Sequence, residues 1–161
     1  MRPINRTRIL IGAGALVIGL VVYLTDRPTN EMYFLFRIGV TNSLYHVVPP
    51  LFGPLGWNLP AFLHVFALIL VTGGILACRE RGSLVVAVSW LLTEWAFEIG
   101  QKFSVRAEAL VPRWFDSIPV LEITRNYFRV GTFDPLDMVA VAVGAAAAYS
   151  VLLATMERRC P

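Results

Sequence analysis

Six polar side chains lie inside or beside long apolar runs: His64, Glu94, Glu98, Gln101, Asp134 and Asp137. Glu94, Glu98 and Gln101 are spaced to share one stripe of a helix. Asp134 and Asp137 open a later apolar run. A carboxylate at the centre of a bilayer costs about 2.5–3.5 kcal/mol on insertion scales, and less toward the interface. Such groups face a bundle interior or a wet cavity, and there they mark a candidate site able to hold a polar headgroup.

Each residue also has a plainer account. Asp134-Pro135-Leu136-Asp137 reads as a helix start, with an aspartate N-cap, proline in the first turn and a second carboxylate near the positive end of the dipole. Only one cap is needed, so Asp137 keeps a claim on the site. His64 is explained by hydrogen-bonded packing, and Glu94 by pairing with a loop arginine. Glu98 and Gln101, one turn apart, are the hardest to dismiss. One histidine among carboxylates is an unspecific metal pattern, and no His/Cys cluster has ligand spacing, so neither a metal nor a cofactor is expected. Ser89, Ser104 and Ser117 lack a nucleophile elbow or triad context, and no glycine loop could cradle a phosphate. No enzyme class follows from these residues.

The elements that must position them are set by composition. Hydrophobic residues make up 57% of the 161 and charged residues 16%, whereas soluble domains carry nearer a quarter charged residues. The pattern predicts an all-α membrane protein of one domain, residues 1–161. It would be a four-transmembrane-helix bundle with helices over about 9–25, 60–78, 83–101 and 135–156. The first run is followed by no small-x-small cleavage pattern, so it reads as an uncleaved helix. Arg2, Arg6, Arg8, Arg79, Arg81, Arg158 and Arg159 are concentrated in very short segments. The positive-inside rule then puts both termini in the cytoplasm, and an even number of spans requires the same. The long loops 26–59 and 102–134 face outward. In that topology all six polar groups share one depth near the outer leaflet. The net charge of +3 resides in arginine clusters beside apolar runs, which argues against a nucleic-acid partner.

Other features follow from the same layout. Ala15 and Gly19 on the first helix, and Gly144 and Ala148 on the fourth, make narrow faces for close helix packing. Cys78 and Cys160 fall at cytoplasmic helix ends, where a disulfide would not persist. Met32 to Val48 reads as an amphipathic helix in the outer interface, followed by Trp57 as an interfacial anchor. The second loop mixes Trp114, Phe115, Tyr127 and Phe128 with Arg106, Arg113, Arg125 and Arg129. Those four arginines suit a headgroup phosphate or, more blandly, anionic lipid.

Three segments also carry a resemblance. Leu59-Pro60-Ala61-Phe62-Leu63-His64, Phe97-Glu98-Ile99-Gly100-Gln101 and Gly131-Thr132-Phe133-Asp134-Pro135-Leu136-Asp137 leading to Gly144 resemble the VanZ-like family of small polytopic bacterial membrane proteins. Glu98, Gln101, Asp134, Asp137 and Gly144 match that family's pattern. Thr132 stands where an arginine is expected, and Val141 where an asparagine often falls. The resemblance implies an inner-membrane protein of the cell envelope, linked to glycopeptide tolerance, that binds or modifies a lipid-linked cell-wall component. The alternative is a non-catalytic accessory subunit of a larger inner-membrane complex, docked through the small-residue faces.

Overall fold

The computed structural model describes residues 4–28, 44–45, 47–118 and 121–156. Every regular element among them is helical: α1 (Arg6–Asp26), α2 (Leu59–Ile75), α3 (Glu80–Lys102), α4 (Ser104–Leu110), α5 (Ile123–Val130) and α6 (Pro135–Ala154), with 3-10 turns at Gly53–Trp57 and Arg113–Ser117. Local chemistry sets several ends. The Asn5 side chain accepts from the Arg8 N–H at the start of α1. Asp134 does the same for Leu136 at the start of α6, with Pro135 in its first turn. Glu80 opens α3 and Lys102 closes it, each complementing the helix dipole.

Among the described residues, α1, α3 and α6 are long and apolar enough to cross a membrane; α2 is a shorter apolar helix of 17 residues. Their outer faces carry exposed Leu10, Val17, Val85, Leu92, Val139 and Val143. Large apolar side chains facing outward on three long helices suit lipid as the surrounding solvent.

Helix α2 is the hub, with α1 on one side, α6 on another and α3 closing the group. The small residues make this geometry possible. A Cβ on Gly12 would stand 2.9 Å from the Ala67 carbonyl oxygen, and one on Gly144 would stand 2.6 Å from that of Phe62. Ala15 and Ala148 are buried in the same seams, at 4% and 0% exposure. Gly19 meets Leu63 only at an ordinary 3.9 Å, so Gly12 marks the tight approach of α1. Val65, Ile69 and Leu70 of α2 pack with Val86, Val141 and Leu152 to form the main core.

At the end of the bundle that holds Asn5, α2 stops in a left-handed turn. Ala77 has φ +46°, Cys78 N–H donates to the Gly73 carbonyl at 3.2 Å, and Ala77 N–H donates to that of Gly74 at 3.4 Å. This is a Schellman ending with alanine where glycine is usual. Arg8, only 2% exposed, reaches into it. Its guanidinium donates to the carbonyls of Gly73 (3.2 Å), Cys78 (3.1 Å) and Leu152 (2.8 Å) and to the Thr155 hydroxyl (2.9 Å). One cation thus satisfies the carbonyl-rich ends of both α2 and α6, where a positive charge is favoured. The sequence offers Arg8 only as one of several charges at a helix end; the fold gives it a buried structural role.

The expected loop 102–134 is a pair of short helices, α4 and α5, joined through the turn at Arg113–Ser117. Most of the expected amphipathic helix at 32–48 lies outside the described residues, as do Arg2, Arg158, Arg159 and Cys160. Leu44 N–H donates to the Leu24 carbonyl at 2.8 Å, which returns the chain to the end of α1.

Candidate functional site

The opposite end of the bundle gathers the polar groups. Asn58, just before α2, donates its amide to Asp134 at 3.1 Å and to Asp137 at 2.7 Å. Asp134 therefore does two things: one carboxylate oxygen caps α6 and the other receives Asn58. Its own N–H donates to the Glu98 carboxylate. Glu98 is 9% exposed, and its Oε2 has no hydrogen-bond partner among the described residues. A buried carboxylate oxygen left without a donor costs free energy, so a fold retains one where something else supplies the donor.

The remaining candidates surround this group unevenly. Gln101 shares a hydrogen bond with Tyr127 of α5. Gly131 lets the chain pass close to Gln101, because a Cβ there would stand 2.8 Å from the Gln101 Cδ. Burial, then the Glu98 and Glu94 carboxylates, push the Tyr127 phenol above its ordinary range, so it stays a neutral hydroxyl. His64 and Glu94 pair at 3.2 Å on the periphery, with the His64 side chain more than half exposed. Thus Glu98, Asp134 and Asp137 form the centre, Gln101 joins through Tyr127, and His64–Glu94 is a flanking pair. Among the described residues, no three His, Cys, Asp or Glu side chains are placed to hold a metal ion.

Residues outside any motif hold this end together. Asp26, 6% exposed, accepts from the N–H groups of Leu51 (3.0 Å) and Phe52 (2.8 Å). It thereby ties the end of α1 to the segment that leads into α2. Gly56 must be glycine beneath it, since a Cβ would stand 2.9 Å from the Asp26 carboxylate. Arg27 donates to the Trp57 carbonyl and lies 4.9 Å from the centroid of the Trp57 ring. Asn58 was legible only as a polar residue preceding Leu59-Pro60. A helix-start reading would make it a cap, but its side chain crosses to α6 instead.

The four loop arginines divide into two pairs. Arg125 donates to the carbonyls of Glu108 and Val111, both at 3.0 Å, and so caps the end of α4. Arg129 pairs with the Glu108 carboxylate. Arg106 and Arg113 are exposed and make no side-chain hydrogen bond or ion pair among the described residues. Only this second pair remains available to a ligand.

Comparison of the chain with family models, with curated proteins and with solved structures gives no match.

Proposed function

We propose that the chain is a four-span inner-membrane protein of the bacterial cell envelope, VanZ-like in kind, whose outward end binds or modifies a lipid-linked surface component. The observation that carries this reading is the buried Glu98 carboxylate, with its unpartnered Oε2 beside Asn58, Asp134 and Asp137. Polar groups at membrane depth that exceed the needs of helix capping mark a working site by default. The 17 apolar-rich residues of α2 reach the short end of the length range for a spanning helix, which supports its being one of the four spans. An even number of spans and the density of arginine near both termini support a cytoplasmic location for each.

The cluster's chemistry narrows what it would hold. Four carboxylates lie within it or beside it, so a ligand would enter with hydrogen-bond donors, such as sugar hydroxyls or an ammonium, ahead of any phosphate. The accessory-subunit reading has less behind it. Ala15 and Ala148, on the faces that would have docked an outside helix, are buried within the chain's own core clusters, and Gly144 lies against Phe62 of α2.

The test is Glu98→Gln and Asp137→Asn, each assayed for surface-component binding or glycopeptide tolerance alongside the yield of folded protein. Loss of the phenotype with normal yield is the expected result. Loss of folded protein in both variants would assign the cluster to holding the bundle together.

A further inference from the structure

A groove of about 570 Å³ opens on the side of the molecule between the last turn of α3, helix α4 and Phe128 of α5. The small side chains of Ala96 and Ala107 leave the space, and Phe103, Leu110 and Phe128 bound it, with Phe128 seated against Gly100. Phe128 is fixed there: it stacks on Phe97 at 5.5 Å between centroids and lies so close to Gly100 that a Cβ would stand 2.5 Å away. A second recess of about 330 Å³ adjoins the groove, lined by Lys102, Ser104 and Val105 and sharing Phe103 and Arg106 with it. An apolar slot thus leads into a cationic mouth.

The depth of that mouth bears on its occupant. Helix α3 has 23 residues, a length of about 35 Å, against a hydrocarbon core of about 30 Å. Lys102 ends α3, so Lys102 and Arg106 stand where lipid phosphates lie, with the groove extending toward the acyl chains. Arg106 is exposed and unpaired among the described residues, while the neighbouring acid Glu108 is taken by Arg129.

We propose that this groove is a binding site for one anionic phospholipid, with an acyl chain along Ala96, Gly100 and Ala107 and the phosphate held by Lys102 and Arg106. The inference rests on the membrane reading above but not on the role of Glu98. It moves phosphate recognition away from the acidic cluster and onto Arg106, which the fold leaves unpaired among the described residues, and Lys102, whose ammonium lies 5.2 Å from the centroid of the Phe133 ring and turns from it to reach a phosphate. A partner helix is the weaker occupant, because it would have to bring a matching acid to this depth, whereas every anionic lipid carries one there.

Native mass spectrometry of the intact chain tests the proposal, with dioleoyl phosphatidylglycerol and dioleoyl phosphatidylcholine titrated separately. One phosphatidylglycerol should be retained roughly tenfold more tightly than phosphatidylcholine, reflecting two cations near the phosphate. Lys102→Gln with Arg106→Gln, both at exposed positions, should erase that preference, and Ala107→Trp should weaken both lipids by filling the slot. Equal retention of the two lipids, or a preference that survives the charge changes, overturns the proposal. So does a protein that crosslinks from position 107 in place of lipid. Release of the chain from membranes by alkaline carbonate would instead mean that the membrane reading itself had failed.

Discussion

Ala77 shows how a single residue can carry a cost that its neighbours need. Its φ of +46° closes the Schellman turn that presents the Gly73 and Cys78 carbonyls to Arg8. An L-residue in that conformation costs about 1–2 kcal/mol, which glycine avoids. Ala77→Gly is therefore expected to stabilise the protein by about 1 kcal/mol, read as a raised midpoint of thermal unfolding in detergent. The candidate site teaches the converse lesson about legibility. Asp134 and Glu98 stood out in the sequence because capping chemistry and an apolar context are local signals. Asn58 did not, because its partners lie 76 and 79 positions away and no local pattern encodes that distance. Asp26 was hidden in the same way, its acceptor role depending on where the chain returns at Leu51 and Phe52.

At the scale of elements, α4 and α5 are fastened mainly by two arginines. Arg125 takes the carbonyl end of α4, and Arg129 reaches the Glu108 side chain. The Arg129 hydrogen bond holds the Glu108 carboxyl below its ordinary value of 4.5. A carboxylate with a depressed folded pKa contributes its stability above the unfolded value and loses it as the pH falls through the folded one. The α4–α5 pair should accordingly loosen on acidification below about pH 4.5, while the long helices stay protected. Hydrogen exchange over residues 104–130 measures this directly. Glu108→Gln should already show the looser exchange at neutral pH and little further change with acid. In sequence this stretch reads as an outward loop rich in arginine and aromatic residues. Its short helices carry no sequence signal of their own because they draw their order from contacts with each other and with α3, and not from any long periodic pattern.

The whole bundle depends on a connection at the opposite end from the candidate site. Arg8 joins α1 to the ends of α2 and α6 through four hydrogen bonds, and no apolar residue could satisfy those acceptors. Arg8→Lys keeps the charge but lacks the planar fork of donors. Two lost charge-assisted bonds are expected to cost about 3–6 kcal/mol, seen as a lowered unfolding midpoint. Thr155→Val removes the acceptor for the Arg8 Nε–H together with the hydroxyl's own bond to the Val151 carbonyl, and should cost about 1.5–3 kcal/mol. The helices themselves were legible because long apolar runs are the strongest signal a sequence carries, yet which helix lay at the centre was not. That depends on Gly12 and Gly144 admitting the backbone of α2, a matter of mutual fit. The span between Arg8 and its partners also has a consequence for synthesis. Leu152 leaves the ribosome 144 residues after Arg8, a delay of about 7–30 s at ordinary elongation rates. Throughout that interval the nascent first helix carries an arginine whose set of acceptors is incomplete, the Gly73 and Cys78 carbonyls arriving 65 and 70 residues after it and those on the last helix only at the end. Translation that stops short of the last helix leaves that charge incompletely answered, a mark by which membrane quality control could tell an unfinished chain from a finished one.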